Sequence, residues 1–266
     1  MHITRFPTIR NLAWLTGASV LIAVLMSAAS LSGIFLAEAL YPEAELRRSF
    51  LSNDVVNLGL GLPILLGSVV LVRKGNWFGG LFWPGALLYV AYNYIAYAVA
   101  MPFTWQFVLY LALVLLSGLT VYRLLASLDV ETIRQGLQGK VAERFSASIL
   151  IGFGLLFCVM RVGILFQQQA GPETAVAVAD LLTMPLWMAG GILLWRKQAF
   201  GYACGAGLLF QASMLFVGLL AFFALQPLLA GIPFPLEDFV VIAAMGALCF
   251  VPFGLFVRGI LRLQSS

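Results

Sequence analysis

Long apolar runs separated by short polar stretches dominate this chain, and their lengths set the first expectation. The runs fall at 12–37, 54–72, 77–100, 103–125, 145–166, 175–195, 200–225 and 239–261. At ~1.5 Å of rise per residue, each is long enough as a helix to cross a hydrocarbon core ~30 Å thick. Helix breakers lie between them: Tyr41-Pro42, Gly75-Asn76, Met101-Pro102, Gly171-Pro172 and the stretch from Pro227 to Pro235. In hydrocarbon no water satisfies backbone N–H and C=O groups, so spanning segments are helices or closed barrels, and unbroken apolar runs lack the alternation of barrel strands. The pattern predicts an all-α, polytopic transmembrane helix bundle of about eight helices.

Composition agrees. Of 266 residues, 62% are hydrophobic and 10% are charged, where soluble domains carry roughly 25% charged residues. The net charge of +4 is a topology signal and points to no nucleic-acid partner, because the basic residues form short clusters between apolar runs. With loops assigned alternately to two sides, every Lys and Arg falls on one side except Arg47, Arg48 and the intramembrane Arg161. That side is expected to be cytoplasmic and to hold both termini, in a prokaryotic inner membrane. Arg5 and Arg10 before the first run also suit a cleaved leader, but the run is too long for one.

The two halves of the chain resemble each other. Arg73-Lys74-Gly75-Asn76-Trp77-Phe78-Gly79 matches Arg196-Lys197-Gln198-Ala199-Phe200-Gly201, Pro42-Glu43 matches Pro172-Glu173, and Asp54-Val55-Val56-Asn57 aligns with Asp180-Leu181-Leu182-Thr183. This predicts a parallel 4+4 duplication: a first repeat at 1–125, a linker at 126–144 and a second repeat at 145–266. Parallel repeats place a pocket between the halves, here expected toward the outer leaflet. Within the linker, Val130, Ile133, Leu137 and Val141 share one helical face, which predicts an amphipathic helix on the inner membrane surface.

Soluble-enzyme chemistry is nearly absent. The single histidine, His2, excludes histidine-ligated metal and histidine-assisted nucleophiles, so no metal site is expected. There is no phosphate-binding glycine loop and no cofactor signature, although a pigment or quinone held on aromatic faces would leave none. Cys158, Cys204 and Cys249 lie inside apolar runs and are expected to be free thiols.

The functional candidates are polar groups at membrane depth, where an ionisable residue costs ~2.5–3.5 kcal/mol to insert. Arg161 and Asp180 lie at similar depth on consecutive helices, which predicts an ion pair. Asp54, with no arginine at matching depth, is expected to be satisfied by Arg47, Arg48 or water near the outer interface. Asp54, Asn57 and Gly61 share one helix face, as do Asp180, Thr183 and Trp187, while Pro63 and Pro185 are expected to open a cavity on the outer side. Tyr89, Tyr92, Asn93 and Tyr97 form a further stripe, either lining a pocket for a polar or cationic group or packing as an aromatic face around a hydrogen-bonded amide.

Asp54-Val55-Val56-Asn57, Gly61-Leu62-Pro63, Arg73-Lys74-Gly75, Pro84-Gly85-Ala86-Leu87-Leu88-Tyr89 and Tyr92-Asn93-Tyr94 together resemble a group of uncharacterised prokaryotic multi-pass membrane proteins. The resemblance covers about a fifth of the chain and implies a prokaryotic inner-membrane setting, with no activity attached. Three functional classes follow from the residues: a carrier or binder of a small solute or lipid, a non-catalytic subunit or assembly factor with a membrane-protein partner, and a membrane-embedded enzyme on a lipid or isoprenoid using Asp54 or Asp180. The topology is directly testable. A reporter fused after Lys140 is expected to read as cytoplasmic, and an extracytoplasmic signal would overturn the assignment.

Overall fold

The structure is a computed structural model describing residues 5–166, 171–229 and 231–265; His2 lies outside them. It is helical throughout, with no strand among the described residues: α1 (Leu12–Phe35), the single turn α2 (Ala37–Leu40), α3 (Ala44–Val56), α4 (Leu62–Arg73), α5 (Trp77–Ala100), α6 (Trp105–Ala126), α7 (Val130–Leu137), α8 (Glu143–Phe166), α9 (Pro172–Trp195), α10 (Ala199–Leu229) and α11 (Leu236–Ser265). A π turn at Asn57–Gly61 joins α3 to α4, so the two run as one rod, Ala44–Arg73.

Among the described residues, seven helices are long and apolar enough to cross a membrane: α1, the α3–α4 rod, α6, α8, α9, α10 and α11. The 24-residue α5 is as long as several of these. Its mean hydropathy is lowered by Tyr89, Tyr92, Asn93, Tyr94 and Tyr97 and by Gly79, Gly80, Pro84 and Gly85. It is also the helix buried on nearly all sides, packing on α4, α6, α9, α10 and α11. Its polar atoms therefore face protein and not lipid.

The second apolar run was expected to begin at residue 54, but its helix starts ten residues earlier, at Ala44. The extension is polar, so hydropathy misses it. Leu46 and Phe50 nonetheless bury one face of it. The π turn also has a local cause. Pro63 has no N–H to give the Gly59 carbonyl, two glycines weaken the preceding turn, and the Leu62 N–H reaches the Asn57 carbonyl five residues back.

The two matching motifs build matching hairpins. Between α4 and α5 the Gly75 N–H donates to the Val72 carbonyl and the Asn76 N–H to the Leu71 carbonyl; between α9 and α10 Lys197 donates to Leu194 and Gln198 to Leu193. The left-handed residue is Gly75 (φ 71°) in the first turn and Lys197 (φ 56°) in the second. A lysine pays for that conformation. Its ammonium is fastened 2.9 Å from Glu143, whose other oxygen accepts from Tyr202 (2.5 Å) and the Gly139 N–H (2.8 Å).

Counting from these turns, Pro63 and Pro185 are at equivalent positions. Asp180, however, lies about one helical turn nearer its hairpin than Asp54 does to its own, so the two are out of register when counted from the hairpins.

Helix α7 forms inside the expected linker, capped by Asp129, which accepts from the Thr132 N–H (3.1 Å) and hydroxyl (2.6 Å). These bonds hold the Asp129 carboxyl below its usual range. Ile133 and Leu137 are fully buried, and Gly136 sits against Trp77 and Leu263. The apolar face is thus covered by the protein's own helices instead of resting on lipid.

Glycines set the helix separations. A β-carbon at Gly79 would come 2.1 Å from the Val72 nitrogen, one at Gly201 2.4 Å from the Leu194 nitrogen, and one at Gly85 2.1 Å from the Gly207 carbonyl oxygen. These are backbone atoms, so no side-chain rotation relieves the overlap. Gly79→Ala is expected to destabilise the protein by about 3 kcal/mol in detergent unfolding measurements. Gly17→Ala, where nothing lies within 4 Å, is expected to change stability by less than about 0.5 kcal/mol.

Candidate functional site

Polar residues at membrane depth gather around α5 in two clusters. In the first, Asp54 is fully buried, and both of its oxygens accept from tyrosine: Tyr41 to Oδ2 at 2.6 Å and Tyr97 to Oδ1 at 2.8 Å. These phenols, and not Arg47 or Arg48, satisfy the carboxylate. Tyr41 precedes Pro42, which favours extended backbone at residue 41 (φ −116°, ψ 78°), and the chain turns inward there, burying the ring. Gly33 of α1 makes the room, since a β-carbon there would lie 1.9 Å from Asp54 Oδ2. Phe50, Tyr94 and Tyr110 close the cluster around Tyr97, with ring centroids 4.6, 5.3 and 5.1 Å away.

The second cluster contains the expected ion pair. Arg161 Nε donates to Asp180 Oδ2 at 2.6 Å across the α8–α9 hairpin, and Tyr92 of α5 donates to Asp180 Oδ1 at 2.9 Å. Asp180 therefore joins the first half of the chain to the second. The side chain of Arg161 is 23% exposed and that of Asp180 5%.

The remaining candidates are also engaged inside the protein. Asn93 donates to the Tyr89 carbonyl at 2.9 Å and accepts from Asn53 at 3.3 Å. Tyr89 lies over Gly61, with its hydroxyl toward Gly218. Thr183 bonds back to the Ala179 carbonyl of its own helix at 2.7 Å. Trp187 donates to Gln211 at 3.1 Å, and Gln211 donates to the Leu88 carbonyl at 3.3 Å, a second polar link between the halves. Asn57 differs: it is fully buried at the start of the π turn, and neither its amide nitrogen nor its oxygen has a partner among the described residues. The tyrosine stripe thus has the geometry of an aromatic packing face carrying a hydrogen-bonded asparagine.

None of the nine candidates, Asp54, Asn57, Tyr89, Tyr92, Asn93, Tyr97, Arg161, Asp180 and Thr183, lines either of two cavities in the fold. One is an apolar groove of about 180 Å³ between α5 and α6 of the first half and α9 and α10 of the second, walled by Leu88, Val121, Leu186, Gly190, Cys204 and Gly207. These residues occupy the ends of their helices nearest the basic hairpins. The other, of about 400 Å³, is formed by the segment from Arg5 to Leu12 against the α4–α5 turn.

Hydropathy could not single out the groove, because its walls are ordinary apolar helix residues. Tyr41 carried one legible sign, its place before Pro42. No family model, curated protein or solved structure matches the chain.

Removing Arg161 should leave the buried Asp180 without its counter-charge. Arg161→Met is expected to lower stability by about 3 kcal/mol. The double variant Arg161→Met/Asp180→Asn should recover most of the loss, because the amide oxygen it introduces still accepts from Tyr92. An unfolding double-mutant cycle in detergent reads this directly. Additive losses would mean that the pair contributes no coupling.

Proposed function

We propose that this membrane protein binds the hydrophobic chain of a lipid in the groove between its two halves, within a prokaryotic cytoplasmic membrane. Eight crossings in two parallel four-helix units give the arrangement, and the matching hairpins support it. The observation that carries the reading is the groove itself: an apolar notch at the junction of α5, α6, α9 and α10, where the surrounding medium is lipid. A dry apolar cavity of about 150 Å³ admits a benzene ring. The groove at about 180 Å³ therefore takes a ring of that size or a short stretch of branched chain.

The physics also narrows the ligand. Lipid tails are as apolar as the groove, so a chain entering it gains no hydrophobic free energy and is held by shape and dispersion alone. A flexible acyl chain loses rotamer entropy on entering, whereas a branched or ring-bearing tail has less to lose. An isoprenoid-type tail suits the site best.

Binding and not catalysis is the chemistry on offer. The groove wall carries no titratable group apart from the Cys204 thiol, and Asp54 and Asp180 are engaged elsewhere. A second reading, in which a small polar solute is handled at the π turn, rests on the unpartnered Asn57 amide.

Ala189 is an exposed residue on the groove wall, so a larger side chain there fills the notch without disturbing the core. Native mass spectrometry of the purified protein titrated with an isoprenoid lipid is expected to show one retained copy. Ala189→Trp should weaken retention about tenfold, a loss of roughly 1.4 kcal/mol, and Asn57→Ala should retain the lipid as the wild type does. Equal retention by wild type and Ala189→Trp would remove the groove reading, and loss confined to Asn57→Ala would move the site to the π turn.

A further inference from the structure

The second cavity carries an inference independent of the groove. The segment before α1 folds back over the α4–α5 turn. The Phe6 N–H donates to the Gly75 carbonyl at 2.9 Å, and the Phe6 ring is buried edge-on against Trp77, with centroids 5.3 Å apart. Gly80 makes this possible, since a β-carbon there would lie 2.2 Å from the Phe6 ring. Ile9 is buried as well. The segment is thus clamped at two apolar points, with a cavity of about 400 Å³ held open between it and the turn.

Three cations rim this cavity: Arg5 from the clamped segment, and Arg73 and Lys74 from the end of α4. All three are exposed, and no ion pair involves any of them among the described residues. The Arg5 stem runs along Gly75, 3.6 Å from where a β-carbon would stand, so its charge is led to the same rim as the other two. Leu12, the first residue of α1, also lines the cavity; that helix has no acidic residue in its first turn and no side-chain cap, so its positive end is unneutralised. The charged side chains lining this site are all cationic, and the cavity has room for a tetrahedral anion with a substituent.

We propose that Arg5, Arg73 and Lys74 form a binding site for a phosphate group at the membrane surface. An anionic phospholipid of the adjacent leaflet is one source of that group and a soluble phosphate ester the other. Both place the phosphate among three cations. Only the lipid adds chains that continue into the bilayer beside Leu12 and Val72.

The test uses the full chain in neutral detergent, with thermal unfolding as the readout. Phosphatidylglycerol is expected to raise the midpoint saturably, and phosphatidylcholine with the same chains is not. Arg5→Gln/Arg73→Gln/Lys74→Gln should weaken the phosphatidylglycerol response by about tenfold or more, since each juxtamembrane cation contributes to anionic-lipid attraction. Arg144→Gln/Arg258→Gln, which changes two basic residues outside the cavity, should leave the response within about twofold. Competition by glycerol phosphate at comparable concentration would support the site and assign its ligand to the soluble pool; failure to compete would support it and assign the lipid. Equal responses from wild type and the triple variant would overturn the proposal, as would an equal loss in the control pair, because attraction would then follow net charge and not the site.

Discussion

A polar group at membrane depth has only the protein to satisfy it, and in this fold α5 does most of the satisfying. Tyr97 donates to Asp54, Tyr92 donates to Asp180, Asn93 accepts from Asn53, and the Leu88 carbonyl accepts from Gln211. Each such group left unmade in hydrocarbon costs several kcal/mol, far more than the difference between one apolar packing and another. The helix bearing the most of them therefore takes the centre, and the more apolar helices surround it. The property that keeps α5 below the apolarity of the other spans also fixes its place.

Once α5 is central, the close fit of its neighbours depends on glycine. Between helices in lipid, attraction comes from van der Waals contact and interhelical hydrogen bonds, so backbones gain by approaching closely. Gly79 brings α5 to α4, Gly201 brings α10 to α9, and the Gly85–Gly207 contact brings α5 to α10 across the two halves. The groove follows from the same choice. Gly190 and Gly207 lie on its wall, and where small residues draw two backbones together, the flanking side chains of α6 and α9 do not fill the margin.

How far this was legible in the sequence depends on whether depth alone chose the partner. Arg161 and Asp180 lie at similar depth on consecutive helices, and an antiparallel hairpin makes such residues neighbours, so their pairing could be read directly. Asp54 could not be assigned that way. Its donor Tyr41 sits in a short stretch between α2 and α3, and only the turn before Pro42 and the gap at Gly33 bring the phenol to the carboxylate. A linear alignment matched Asp54 to Asp180, although their distances from the hairpins, counted along the chain, differ by about a helical turn. Arg5, Arg73 and Lys74 were legible as basic residues flanking apolar runs. That they share a cavity depends on Phe6 reaching Trp77, and periodicity carries no trace of that contact.

The same contacts bear on what kind of function the fold can support. Alternating access requires one half to move against the other, and in this molecule such movement would break Tyr92 to Asp180 and Gln211 to the Leu88 carbonyl and would part the Gly85–Gly207 contact. Interhelical hydrogen bonds in membranes average about 0.6 kcal/mol and reach about 1.7, so two of them alone would be passable for a state a few kcal/mol above the ground state. The backbone contact adds a steric constraint: with no side chain between them, α5 and α10 have no intermediate packing to slide through. A chain held in the groove or a phosphate held at the rim requires none of this motion, because both sites open to the surroundings in the form the structure already has. The polar clusters hold the frame that carries the two proposed sites, and neither proposal asks that frame to move.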